Sequence, residues 1–240
     1  MRATDLPPHL DSTSAPGLVA GQPLGAFELG PMKNLVYLVV DWTAKRAALV
    51  DSQADLGPPL SALTRHGLTL ERVLLTHTHH DHVAGLGPLL RGRPDLPVHL
   101  HADDLWRIEM LTAGHARVEP VADGETVNVG GLVVEALHTP GHSAGHACWL
   151  VREDPARGVD RPFLLGGDML FVRDCGRTDL ETGDDAAMFA SLQRLKTLRP
   201  ETVLLPGHHY KPEVASTLAR ELASSPPLQA RSVEELAALP

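Results

Sequence analysis

Residues 74–82 read LLTHTHHDH: an apolar run stops and is followed, within six positions, by four histidines and an aspartate. A histidine taken alone is usually a surface or a satisfied core residue. Density changes that reading. His77 and His79 alternate at the end of the strand RVLLT and so project to one side, while Asp81 and His82 follow the onset of a turn and approach the same point from another direction. His80 points away and is read as a bystander.

Three more polar residues sit just past an apolar strand and beside glycine: His142 in HTPGH, Asp168 in GGDM and His208 in LLPGH. Strand ends of a layered α/β fold converge on one rim, where such folds bind their ligands. His77, His79, His82, His142 and His208 would gather there with Asp81 and Asp168. Taking so many ionisable groups from water costs several kcal/mol each, on the order of what a divalent cation pair can offset. Nitrogen and oxygen donors without thiolate favour Zn²⁺, with Fe²⁺ or Mn²⁺ as alternatives, over Ca²⁺ or Mg²⁺.

The flanking sequence supplies the frame. Residues 1–30 are rich in Pro, Gly and Ser and predict an extended or partly disordered lead with one edge strand near Leu24–Leu29. NLVYLVVD and KRAALVDS predict two strands, PPLSALTRHG a helix stopped by Gly67, PVHLHADD a strand, and ETVNVGGLVVEALH a hairpin turning at Gly130–Gly131. FLLGGD, AAMFASLQRLK and TVLLPGHH predict a second strand–helix–strand unit that parallels Asp51–His77, with Met188, Phe189, Leu192 and Leu195 on one helical face. In the tail, PEVASTLARELASS and SVEELAAL predict two short helices, the second with Ser232 and Glu235 at capping-box spacing. Leu105, Trp106, Ile108 and Leu111 are read as core. The arrangement expected is one α/β domain over 31–240, two β-layers packed face to face.

Composition sets outer bounds. The 240 residues are 43% hydrophobic with no compositional break, carry a formal charge of −9, and contain only Cys148 and Cys175. Scattered basic residues exclude a phosphate-tracking surface, so nucleic acid is not an expected partner. No apolar run reaches the ~18 residues of a membrane span and no secretory signal opens the chain, so a soluble, cytoplasmic protein is expected. Two thiols in a chain of this size read as packing residues.

His77-Thr78-His79-His80-Asp81-His82, followed by His142, Asp168 and His208, resembles the metallo-β-lactamase superfamily, whose HxHxDH signature and three later ligands occur in that order. The resemblance covers about residues 32–224. It implies an αββα sandwich of two mixed sheets flanked by helices. It also implies two divalent metal ions, one held by His77, His79 and His142, the other by Asp81, His82 and His208, with Asp168 bridging. A carboxylate at Asp168 matches hydrolase branches such as glyoxalase II, where true β-lactamases usually carry cysteine.

Two local segments resemble that branch further. DMLFVRDCGRTDLETGD is similar to the basic loop of glyoxalase II and persulfide dioxygenases, which marks Arg177 as a substrate contact; its alternative is an ion pair with Asp179 or Glu181. PGHHYK marks Tyr210 and, secondarily, Lys211. Only 32 residues follow His208, against the helical domain with which longer glyoxalase II enzymes clamp glutathione.

The function expected is hydrolysis of a thioester or activated ester of a small-molecule substrate by metal-bound hydroxide, with Asp81 as a catalytic acceptor of the nucleophile's hydrogen bond. A thiolate, with a parent pKa of ~8.5, departs without a strong acid, and no such acid is evident. Alternatives are an iron-dependent persulfide dioxygenase using His77, His142 and Asp168, a lactonase with the N-terminal lead and residues 103–118 as an apolar lid, and a non-catalytic metal-binding protein on the same scaffold. Homodimerisation stays open.

Overall fold

The computed structural model describes Arg2, residues 5–112 and residues 116–239, with backbone alone over 109–112. The central part of the expected 103–118 lid, and the side chain of Leu111, lie outside the described residues.

Two six-stranded sheets face each other. The first runs, in spatial and chain order, β1 (Leu24–Leu29), β2 (Asn34–Asp41), β3 (Arg46–Val50), β4 (Thr69–Leu74), β5 (Val98–His101) and β6 (Val118–Val121). The second holds β7 (Thr126–Val129), β8 (Leu132–His138), β9 (Ala147–Val151), β10 (Phe163–Gly167), β11 (Val203–Pro206) and β12 (Ser216–Thr217). Both are mixed. β1 to β3 pair antiparallel and β3 to β6 parallel, while the second sheet is antiparallel except for β10 on β11.

Strand periodicity assigns each side chain its layer. In β2, Leu35, Tyr37 and Val39 face the other sheet, while Val36, Leu38 and Val40 face the outer helices. In β10 and β11, Phe163, Leu165, Val203 and Leu205 point inward and Leu164 and Leu204 outward. Both faces of both central strand pairs are buried, which is why these segments read as continuous apolar runs. Trp149 lies fully buried between the sheets and donates its indole N–H to the Leu75 carbonyl at 3.0 Å.

Helices cover the outer faces. α1 (Gly57–His66) ends at Gly67 in the left-handed region, as expected from sequence, and with α2 (His80–Val83), α3 (Leu86–Gly92) and α4 (Leu105–Thr112) belongs to the first half. α5 (Asp185–Leu195) packs Met188, Leu192 and Leu195 onto the second sheet, capped by Asp184, whose carboxylate accepts from Ala187 N. The tail forms α6 (Leu218–Ser224), α7 (Pro226–Gln229) and α8 (Val233–Ala237) rather than two helices. Residues 216–217 are drawn into the sheet as β12, so the helix expected from Pro212 starts only at Leu218.

The lead ends in the expected edge strand, β1, and is packed where described: Leu10 is fully buried in the inter-sheet core with Leu6, and Arg161 donates to the Asp5 carbonyl at 2.6 Å. Its apolar residues are sparse but land on the sandwich edge. Trp106 is not core; it stays 41% exposed under the Arg107 guanidinium, while Ile108 on the opposite side of α4 is fully buried. No described helix is long and apolar enough to cross a membrane.

One loop stitches the sheets together. Leu35 N donates to Gly207 O at 2.8 Å and His209 N to Lys33 O at 2.9 Å, so the start of β2 runs against the segment leaving β11.

Candidate metal centre

The chain leaves β4 at Leu74 and runs without regular pairing to α2, which delivers His77, His79, Asp81 and His82 from the first sheet. His142 follows β8, Asp168 ends β10 and His208 follows β11 of the second. All seven meet at one edge of the sandwich. Three sets have donor atoms within 4.8 Å of one another: His77, His79 and His142; His77, His82 and Asp168; and Asp81, His82 and His208. His80 is exposed at the start of α2 and joins none of them.

Outer hydrogen bonds fix which nitrogen each ring presents. Nδ1 of His82 donates to Asp51 Oδ2 at 2.9 Å, Nδ1 of His142 to the Arg177 carbonyl at 2.7 Å and Nδ1 of His208 to the Met32 carbonyl at 2.9 Å. Nδ1 of His77 lies 3.0 Å from Thr76 Oγ1, whose proton goes to Asp51. With Nδ1 engaged, Nε2 of all four rings is left for the centre; His79 instead turns Nδ1 inward, 2.8 Å from His142 Nε2.

Asp168 sits between the two groups, with Oδ1 3.4 Å from His82 Nε2 and Oδ2 3.5 Å from His142 Nε2 and 3.3 Å from His208 Nε2. Asp81 Oδ2 lies 3.3 Å from His208 Nε2 and accepts from Asn34 Nδ2 at 2.8 Å. Yet His77 Nε2 and Asp168 Oδ1 are buried without a hydrogen-bond partner. Orphaned buried atoms of this kind are costly, and here both are ligand atoms aimed into a nitrogen–oxygen cluster. The residues fit a divalent cation.

Electrostatics agree. Burial, reinforced by neighbouring imidazoles, holds His77 well below the ordinary range and brings His79 down to about 4. Burial also pulls on His82 and His208, but Asp168 and Asp51 raise the first to about 8, and hydrogen bonds donated to Asp168 and Asp81 raise the second to about 10. Asp168 and Asp81 are held well below the carboxylate range against the opposing effect of burial, through His82 and His208. Without metal, protonated imidazoles balance the two acids. A dication would take over that role and leave every ring neutral.

Several supporting residues escaped the sequence reading. Asp51, seen there only as a strand-end acid, accepts from Thr76 N, Thr76 Oγ1 and His82 while held at φ 61°. Buried Asp104 receives Thr78 N and Thr78 Oγ1 at 3.0 Å each and Gly145 N at 3.0 Å, joining the histidine loop to the loop carrying His142. His146 Nε2 accepts the backbone N–H of Asp168 at 3.1 Å. The signals were the acid ending PVHLHADD and a second histidine four residues after His142. Close packing requires Gly176 and Gly207: a Cβ on the first would overlap the Asp168 carbonyl, and on the second Asp168 Oδ1.

The three expected substrate contacts lie in different settings. Tyr210 stacks on His208, centroids 4.8 Å apart and planes 9° from parallel, and lines a cavity of about 410 Å³ over the cluster. Arg177 also lines it, but its exposed guanidinium pairs with Asp179 at 2.5 and 2.6 Å. Lys211 pairs with Asp174 at 3.2 Å and is outside the lining. Neither thiol is poised to attack, since burial pushes Cys148 and Cys175 up to about 12.

Known proteins resemble this chain in sequence and fold. The metallo-beta-lactamase superfamily model matches residues 29–208. A hydroxyacylglutathione hydrolase of Synechococcus is 38% identical over 177 residues, covering 74% of this chain and 65% of that protein. One from Acidiphilium cryptum is 35% identical over 225 residues, covering 86% and 84%. The crystal structure of ETHE1 from Myxococcus xanthus superposes with a TM-score of 0.75 at 30% identity, covering 90% of this chain and 92% of that one. Against several of the curated relatives the chain spans two thirds of their length or less. With the match extending from β1 to the last histidine of the cluster, the chain belongs to the metallo-β-lactamase superfamily, in its glyoxalase II-like branch.

Proposed function

We propose that the protein is a metal-dependent hydrolase of thioesters or activated esters, with two divalent ions, Zn²⁺ first, held by the seven convergent side chains. The observation that carries this reading is the pair of orphaned ligand atoms, His77 Nε2 and Asp168 Oδ1, inside a cluster whose outer nitrogens are already engaged. His77, His79 and His142 would hold one ion, Asp81, His82 and His208 the other, and Asp168 both. When bound, such ions acidify a shared water and polarise a carbonyl.

The chain's own groups do the remaining work. Asn34 fixes one oxygen of Asp81, whose half-buried carboxylate also faces the cavity and can accept the hydrogen bond of an attacking water. Asp51 and the Arg177 and Met32 carbonyls hold the imidazoles in one tautomer. Phe171 and Tyr210 pack edge to face and form one side of the cavity. Among the described residues no strong acid lines it, which suits a thiolate leaving group. Names of relatives support this: the two cited above are hydroxyacylglutathione hydrolases.

A second reading, an iron-dependent persulfide dioxygenase using His77, His142 and Asp168, is supported by the Cys175–Asp179 loop, whose Gly176 lies hard against Asp168 and His142, and is kept open by the likeness to ETHE1. Metal analysis of the protein as purified, followed by two assays on the same sample, separates them. Two zinc ions with thiol release from S-lactoylglutathione or from an uncharged acyl-N-acetylcysteamine thioester supports the hydrolase; one iron with oxygen consumption on glutathione persulfide replaces it.

A further inference from the structure

Five large hydrophobic side chains are exposed among the described residues, and three of them, Met32 at 50%, Leu180 at 39% and Tyr210 at 50%, line the cavity over the metal centre. Apolar side chains collected at one mouth, with Phe171 beside them, mark a surface that gains from being covered. Apart from its histidines, that cavity has one basic lining residue, Arg177, already engaged by Asp179.

The wall from Asp174 to Arg177 is shared with a second cavity of about 870 Å³. Its lining includes Val233, Leu236 and Leu239 from the α8 region and four acids, of which Asp174 pairs with Lys211 and Asp179 with Arg177, while Asp184 and Asp185 have no cationic partner among the described residues. Swinging Arg177 away from Asp179 costs little, since both are exposed, but it leaves the acid behind. A glutathione arm brings two carboxylates and a net negative charge to this wall. It would meet Asp184 and Asp185 uncompensated and would have to take Arg177 from Asp179.

We propose that the substrate arm lying along this wall is uncharged and apolar, belonging to an acyl thioester or ester without carboxylates of its own, and is not a glutathione anion. The inference rests on the hydrolase reading for the identity of the reacting bond, but it concerns recognition and is tested by binding.

Two unreactive thioethers with the same alkyl group, S-hexylglutathione and S-hexyl-N-acetylcysteamine, are titrated calorimetrically into the metal-loaded protein. The uncharged ligand is expected to bind about 10-fold tighter at low salt, with the ratio shrinking as ionic strength rises and the Debye length falls from ~30 Å to ~8 Å. Asp179→Asn is expected to tighten S-hexylglutathione several-fold and to leave the preference smaller. Equal or tighter binding of S-hexylglutathione by the wild-type protein, or no binding of either ligand, overturns the proposal. Tight binding of the uncharged thioether without cleavage of any thioester would instead defeat the hydrolase reading and leave this one standing.

Discussion

Nδ1 of His82 donates to Oδ2 of Asp51 at 2.9 Å, and the same carboxylate accepts the Thr76 hydroxyl, which in turn faces Nδ1 of His77. One buried acid thus orients a ring from each half of the cluster. Asp51→Asn keeps the shape and the tolerance for positive φ but removes the charge and one acceptor. We expect a folded protein by circular dichroism with metal affinity lowered about 10- to 100-fold in chelator competition.

His79→Ala removes a ligand from the more exposed face of the cluster. The variant should remain folded, lose occupancy at the His77–His142 group by elemental analysis, and retain little hydrolysis. Full activity on its hydrolytic substrate would contradict two-metal catalysis and favour the triad that omits His79.

Metal uptake should release protons. His82 and His208 sit at about 8 and about 10 without metal, so an ion must displace protons from them at neutral pH. Apparent affinity is therefore expected to rise with pH through this range, read as buffer-dependent heats of binding. The same raised values stabilise the metal-free fold below about pH 6.5, and that contribution is lost as pH climbs through 8 towards 10. A chelated sample should lose melting temperature between pH 7 and 10 while a metal-loaded one keeps it.

Leu10→Ala tests whether the N-terminal segment belongs to the core. Its side chain is fully buried, so a cost of about 2–5 kcal/mol is expected, on the scale of other buried leucines. A loss within ~0.5 kcal/mol in denaturant titration would show instead that the segment is dispensable.

Much of the centre was legible because its residues combine two signals, an unusual residue type and a position just past an apolar strand. His77, His142, Asp168 and His208 each have both, and the structure brings them together. The supporting layer was not legible, for a physical reason: Asp104 and His146 bind backbone amides across the chain, and nothing in their local sequence says which amide they face. Arg177 was legible only as a pair of alternatives, a substrate contact or an ion pair with Asp179 or Glu181; it lines the cavity while its guanidinium meets Asp179 two residues on. Trp106 was misassigned because it lies two residues from Ile108 on a helix and so falls on the opposite side from the buried position.

The seam where Leu35 bonds to Gly207 and His209 to Lys33 also carries Asn34, which touches Asp81, and Met32, which holds His208. Donor groups from opposite halves of the molecule are therefore registered by the same few peptide units that close its edge. An ion seated there would act as a rivet, tying the two halves of the molecule together at that margin.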